Sequence, residues 1–262
     1  MLFAVSLCAC QGPPGRGLTG SLKEMFEPMF PPTPSEVARD AFDMSSPDKR
    51  RRAIGLLSSA TWGGNEDYVR LYRAAITDSD NTVRAAGISA LGRHGVPEDA
   101  PRIARYLALD YPPYVRWEAA MALQKLHNPE VVRPLLQTLS DDEEIDVRMA
   151  AAKALGQYPQ VPVYDALVGA LNDQRFAVAY QAQQSLNLLT GQDFGLDAAQ
   201  WTKWGDENGK TMFDGKQAYV WEPYNRPRGF FDKAQFWKKH ETIPPRAPAG
   251  MTQSEQEPTP QS

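Results

Sequence analysis

The chain has 262 residues, 42% hydrophobic and 23% charged, and this composition excludes a wholly disordered protein. Lys and Arg number 28 against 32 Asp and Glu; a net charge of −4 excludes a chain built to neutralise many phosphates, so no nucleic-acid partner is expected. Only three histidines and two cysteines are present, and both cysteines, Cys8 and Cys10, stand in the first ten residues. The remaining chain therefore has no disulfide and no thiolate metal site, and no metal and no cofactor are expected.

Residues 1–10, MLFAVSLCAC, are apolar and end in small side chains. A membrane span takes about 20 residues, so this run reads as the end of an export signal and not as a span. Leu7-Cys8-Ala9-Cys10 resembles a bacterial lipobox: a Leu, two small residues and a Cys. The resemblance implies lipidation at Cys10, which would anchor the chain to a membrane of the cell envelope, facing the periplasm or the exterior. The competing reading is a cytoplasmic protein with an apolar N-terminus. Residues 11–35 contain QGPPGRG and PMFPPTP and read as a linker, because Pro and Gly interrupt regular structure and offer little surface to bury.

From residue 36 to 195 the chain repeats itself. NTVRAAGISALG, PYVRWEAAMALQ and IDVRMAAAKALG align without gaps, with Arg84, Arg116 and Arg148 each 32 residues apart. Val83, Val115 and Val147 share the period, as do Leu91, Leu123 and Leu155. Half a repeat earlier run Leu71, Ile103, Leu135 and Leu167, then Ala75, Leu107, Leu139 and Leu171. A fifth copy, FAVAYQAQQSLN, follows at 31 residues, and a degenerate first copy surrounds DKRRRAIGLL, where Arg52 keeps the 32-residue spacing. Several columns sharing a period of this length signal a solenoid. Each repeat holds two helices. Val132, Leu135, Leu136 and Leu139 share one face, SDDEE supplies a turn, and Val147, Ala151 and Leu155 share the next face. Pro97, Pro129 and Pro162 stand where first helices begin, a position that tolerates the missing N–H.

The pattern of paired leucines, a turn Asp, then Val-Arg, Ala-Ala and Ala-Leu-Gly resembles HEAT repeats, in the short form also found in phycobilisome-lyase-like proteins. Asp142, Val147, Arg148, Ala151, Ala152, Ala154, Leu155 and Gly156 match it position by position. The resemblance covers roughly residues 36–190. It implies an all-α fold: about five helix pairs stacked into a right-handed αα-superhelix, with second helices on the concave side. Residues 196–241 are expected to form an irregular cap in which Phe194, Trp201, Trp204, Trp221 and Trp237 cover the open end of the stack. Residues 242–262, rich in Pro, Gln, Ser and Glu, read as a disordered tail.

The arginine column invites two readings. Arg84, Arg116 and Arg148 could bind an anion, or they could pair with Asp78, Asp110 and Asp142, which precede them by six residues at the turns. The family resemblance implies the second, a structural Asp–Arg ladder tying repeats together. The basic run Lys49–Arg52 is either a lipid-headgroup contact or a solvated helix face with one ladder arginine. Some proteins of this pattern are enzymes. Iron-dependent deoxyhypusine hydroxylases carry repeated His-Glu pairs, but here only His240-Glu241 forms one, since Gly95 follows His94 and Asn128 follows His127. One pair does not supply a di-iron site. The chain shows no bilin pocket, no glycine-rich phosphate loop, no GxSxG and no CxxC. No catalytic residue is assigned.

One feature points outward. On the second helices, positions one, two, five and nine after the arginine face away from the core by the 100° rule. They hold Trp117, Met149 and Tyr180 in one column and Met121 in the next, flanked by Arg93, Lys125, Lys153, Gln181 and Gln184. Large apolar groups rimmed by polar ones mark an interaction surface. The expected function is a non-enzymatic scaffold that takes a protein or peptide partner on its concave face. A lyase-like or hydroxylase-like cofactor-binding module is the alternative, and a tail folded over the stripe would leave only a structural role.

Overall fold

The computed structural model describes residues 33–108, 112–209, 211–223 and 243–252. The expectations for Cys10, the rest of the lipobox, the first part of the linker and Trp237 fall outside these residues. Eleven helices and no multi-residue strand occur among the described residues. The first ten helices form five pairs: α1 (Pro34–Ala41) with α2 (Pro47–Ser59), α3 (Glu66–Ala75) with α4 (Asn81–His94), and α5 (Ala100–Ala108) with α6 (Pro113–Leu123). Then come α7 (Val132–Asp141) with α8 (Ile145–Leu155), α9 (Val161–Ala170) with α10 (Phe176–Thr190), and finally the single α11 (Ala198–Asn208).

Local chemistry sets the helix starts. Thr33 and Glu36 form a capping box at α1, and Ser46 caps α2. Asp80 accepts from the backbone N–H of Thr82 and Val83 at 2.8 and 3.2 Å, satisfying two donors that the helix itself cannot. Pro97 and Pro129 open short 3₁₀ turns that lead into α5 and α7, and Pro162 lies in the first turn of α9. The apolar columns meet in one continuous core. Leu91, Leu123, Leu155 and Leu186 are fully buried, as are Ile103, Leu135 and Leu167; Leu71 is only partly covered.

The two layers differ in spacing. Second helices α2, α4, α6, α8 and α10 pack on one another more extensively than the first helices do. Small residues permit this. A Cβ on Gly92 would lie 2.8 Å from the Cα of Ala122, so α4 and α6 touch there through backbone. Further along, Ser185 donates to the Ala152 carbonyl at 2.9 Å, linking α10 to α8. The layer with the closer spacing is the inside of the curve, so the second helices line the concave face.

Arginines tie consecutive repeats, though not as the six-residue spacing suggests. Arg116 grips Asp142 with two bonds of 2.7 and 2.8 Å, and Arg148 grips Asp173 at 2.9 and 3.1 Å. Each carboxylate belongs to the next repeat. The Asp six residues before the arginine contributes its backbone instead: the Asp142 carbonyl accepts from Arg148 at 2.8 Å, and the Asp78 carbonyl from Arg84 at 2.8 Å. Arg84 also reaches Asn81. Asp110 lies outside the described residues. The ladder begins at Arg50, not at Arg52 as the period suggested. Arg50 is buried and forked onto Asp78 at 2.8 Å through both nitrogens, while Arg52 is exposed. The reason is geometric: a guanidinium on the first turn of a second helix is as near the next turn as its own, and only the next turn's carboxylate faces its fork. A second clamp, Arg73 to Asp99 at 2.8 and 3.1 Å, joins first helices.

The far end is closed by α11. Trp201 is fully buried, packed edge-on to Phe194 with centroids 4.8 Å apart, and Tyr164 of α9 donates to the Trp201 carbonyl at 2.6 Å. Trp204 completes the cluster. Trp221 does not belong to it. After α11 the chain turns back: Gly215 approaches Gly191 so closely that a Cβ on Gly191 would lie 2.4 Å from the Gly215 carbonyl oxygen. Gly191 also has φ of 71°, a backbone that favours glycine. Gln217 N–H then donates to the Leu188 carbonyl at 2.8 Å, and Tyr219 is buried beside Gly156 and Gln157.

Residues 243–252 continue this return, a correction to their reading as disordered tail. Trp221 and Arg246 exchange backbone bonds of 2.8 and 3.0 Å. Ala249 N–H donates to the Lys125 carbonyl, and His127 N–H to the Ala249 carbonyl, both at 2.8 Å. Met251 is buried. These segments form a strap along the ends of α10, α8 and α6, running opposite to the order of the repeats. Backbone pairing satisfies the strap despite a composition that otherwise reads as unstructured.

Candidate interaction surface

The structure places the expected stripe on the concave layer. Trp117 on α6 and Tyr180 on α10 are 37% and 49% exposed. Met121 and Met149 are half-buried against the core between them. Gln184 is exposed on α10, one turn after Tyr180. The strap borders this face without removing Trp117 or Tyr180 from solvent, so the described residues do not support a covered stripe.

Three aromatic or charged neighbours complete the surface. Phe176 is 69% exposed and stacks on Tyr180 with centroids 5.9 Å apart. Tyr114 is exposed near Trp117, and Glu118 lies beside it. All three sit three or four residues from a stripe position, so helical spacing alone could have flagged them. A groove of about 500 Å³ runs along α2, α4 and α6, lined by Ser59, Ala86, Ser89, Arg93, Tyr114 and Glu118 among others.

The cations gather in the middle of the face. Arg93 on α4 donates to the Ser58 carbonyl at 2.9 Å and to the Ser59 hydroxyl at 3.3 Å, both uncharged acceptors. Lys125 at the end of α6 holds its ammonium 5.3 Å from the Trp221 ring centroid, a cation–π contact supplied by the strap. Burial lowers the pKa of Lys125, and the nearby charges of Arg93 and Lys153 lower it further, while Glu118 opposes them. Burial raises the pKa of Glu118, against a bond from Ser89 and the pull of Lys125 and Arg93. Among the described residues, Arg93, Lys125 and Lys153 form no salt bridge. The five ladder residues that the structure describes are committed instead to inter-repeat pairs and turn carbonyls.

The two described histidines, His94 and His127, serve packing. His94 Nε2 lies 2.7 Å from the Ser58 carbonyl, and His127 stacks on Tyr158 at 4.9 Å with Nδ1 3.2 Å from Gln157. No group of three or more His, Cys, Asp or Glu able to hold a metal occurs among the described residues. No described helix is long and apolar enough to cross a membrane.

This is the architecture of an α-solenoid: a stacked core, clamped repeats and a concave face of adjacent second helices. The chain belongs to the HEAT-repeat family, whose profile matches residues 36–123 and 103–187, more than half of its length. Among solved structures it is similar to a chain of the complex of CpcE and CpcF of phycocyanin lyase from Nostoc sp. PCC7120. That match is 24% identical with a TM-score of 0.47, covering 58% of this chain and 98% of that one. It is also similar to an engineered protein at 18% identity and a TM-score of 0.45, covering 57% of this chain and 77% of the other. No curated protein matches it.

Proposed function

We propose that the chain is a non-enzymatic scaffold, held on a membrane of the bacterial cell envelope by a lipid at Cys10, that takes a protein or peptide partner on its concave face. One observation carries the partner reading. The solenoid buries nearly all the large side chains of its repeating columns, yet leaves Trp117 and Tyr180 in solvent on the same layer, with Met121 and Met149 between them. Trp, Tyr and Arg are the residue types that most often dominate binding energy when they are buried by a partner. Met adds a surface that adapts to different shapes. The anchor reading rests on Leu7-Cys8-Ala9-Cys10. Acyl chains contribute about 0.8 kcal/mol per buried CH₂, so multiple acylation suffices without a spanning helix.

The partner test is cross-linked capture from envelope extract with the parent chain and with a Trp117→Ala/Tyr180→Ala variant. The variant is expected to lose its captured protein at least tenfold, and unchanged capture rejects the site. For the anchor, a fatty-acid analogue should label the parent and not Cys10→Ser, and the variant should leave the membrane fraction.

A further inference from the structure

The concave face carries more positive charge than its surroundings neutralise. The chain as a whole is at −4, yet Lys125, just past the end of α6, stands close enough to Arg93 on α4 and Lys153 on α8 for each to repel it. Among the described residues the only carboxylate acting on Lys125 is Glu118, whose pKa burial raises. Elsewhere the fold answers such cations directly: Arg50, Arg73, Arg116 and Arg148 each hold a carboxylate within 3 Å. The three concave cations have uncharged oxygens, an indole face or no described partner in that place. Cations left without a described counter-charge, two of them half-buried, favour an anion brought from outside.

We propose that the concave face recognises an extended acidic segment of a partner protein, with carboxylates on Arg93, Lys125 and Lys153 and apolar side chains on Trp117 and Met149. The proposal rests on the scaffold reading and names the chemistry of its partner. The geometry sets a spacing. Neighbouring helices pack about 8–10 Å apart, and an extended chain of the polyproline-II kind rises about 3.1 Å per residue with three residues per turn, so every third side chain shares a face. One carboxylate per helix therefore means an acidic residue at about every third position. Lys153 stands five residues after its ladder arginine, whereas Arg93 and Lys125 stand nine after theirs. That offset of one turn, about 6 Å along the helix, tilts the track across the layer. The apolar residues between the cations argue for a peptide over a nucleic acid, and three cations are too few for tight binding to a phosphate backbone. A flat membrane does not enter a concave face.

The test uses the full chain and two fluorescein-labelled peptides. One has Glu at every third position with Leu and Phe between; the other has Lys in place of Glu. Fluorescence anisotropy should show the Glu peptide bound at least tenfold more tightly, with affinity falling as salt rises. Lys153→Glu and Arg93→Gln should each weaken it roughly tenfold, while melting temperatures confirm that both variants fold. Equal binding of the two peptides, or Glu-peptide binding unchanged in Lys153→Glu, overturns the proposal. Phosphatidylglycerol vesicles or single-stranded DNA that displace the Glu peptide at lower concentration also overturn it, since the face would then read another anion. If capture depends on Trp117 and Tyr180 but the Glu peptide has no advantage, the acidic partner falls and the scaffold stands. If capture is indifferent to Trp117 and Tyr180, the scaffold site itself falls.

Discussion

Each of the helices α4, α6 and α8 carries two basic positions with different fates. The arginines of the first turn, Arg84, Arg116 and Arg148, face the inter-repeat turns, and Arg116 and Arg148 each meet the carboxylate of the following repeat. The cations toward the other end, Arg93, Lys125 and Lys153, face the concave surface and meet none among the described residues. Both sets are basic and both lie on the same second helices or just past their ends, though Lys153 stands one turn out of the 32-residue period that Arg93 and Lys125 keep. What separates the two sets is whether the next repeat presents a counter-charge. A period of 32 residues therefore distributes chemistry along the stack, and the identity of the facing turn decides its use.

The sharpest way to break this comparison is to remove one ladder arginine. Arg116→Ala leaves Asp142, whose side chain is 5% exposed, buried without its partner. Breaking such a pair costs about 3–5 kcal/mol. Urea unfolding should show that loss for Arg116→Ala, and the double variant Arg116→Ala/Asp142→Ala should recover much of it. A loss under about 1 kcal/mol would mean the two columns do not differ as described. A smaller effect is expected where the layer itself is tightest. Gly92→Val places side-chain atoms where Ala122 already lies at 2.8 Å from an added Cβ, and overpacking of this kind costs about 1–3 kcal/mol. Thermal melts would show whether α4 and α6 depend on that contact.

The stack was legible because every repeat reuses the same positions: Leu91, Leu123 and Leu155 announce their burial by period alone. The stripe was legible for the complementary reason, since Trp117, Met149 and Tyr180 stand where that period demands polar residues. The pairing of the ladder was not. An Asp six residues before each arginine offered a short-range partner, and nothing in one sequence says that Arg116 prefers Asp142, 26 residues ahead. The same limit misplaced the ladder's first arginine, because Arg50 departs from the period by two residues. The strap was hidden more thoroughly. Much of its grip on the solenoid is backbone to backbone, Ala249 with Lys125 and His127, and such bonds leave no side-chain pattern to read. Trp221 looked like cap material by composition, but Trp201, Trp204, Phe194 and Tyr164 already fill the end of the stack.

Glu118 sharpens the comparison through pH. Its pKa is raised from 4.5 chiefly by burial. A carboxyl raised in this way binds its proton more tightly in the folded chain than in the unfolded one. Its stabilising contribution is complete below the unfolded value and is lost as pH rises through the folded value. Glu118→Gln never ionises, so it should melt at a higher temperature than the parent at neutral pH. The two should converge below about pH 4, the usual carboxylate range. If the parent is the more stable at neutral pH, then Glu118 is an effective counter-charge for Lys125 and Arg93, and the concave cations are not unanswered.

The smallest stability effect is expected on the stripe itself. Trp117 is 37% exposed, and Lys153 has no salt bridge among the described residues. Substitutions away from buried pairs and tight packing usually stay within about 0.5 kcal/mol. Trp117→Ala and Lys153→Gln should therefore leave the unfolding free energy from urea titration nearly unchanged, whereas Arg116→Ala lowers it by several kcal/mol. The contrast matters more than either number. A large aromatic and a cation that add little to folding, set on the same helices as residues that add a great deal, are not explained by the needs of the fold. If Trp117→Ala instead destabilised the chain as strongly as a core substitution, about 3–5 kcal/mol, the indole would be part of the packing after all. The concave face would then have no claim to a partner on that ground.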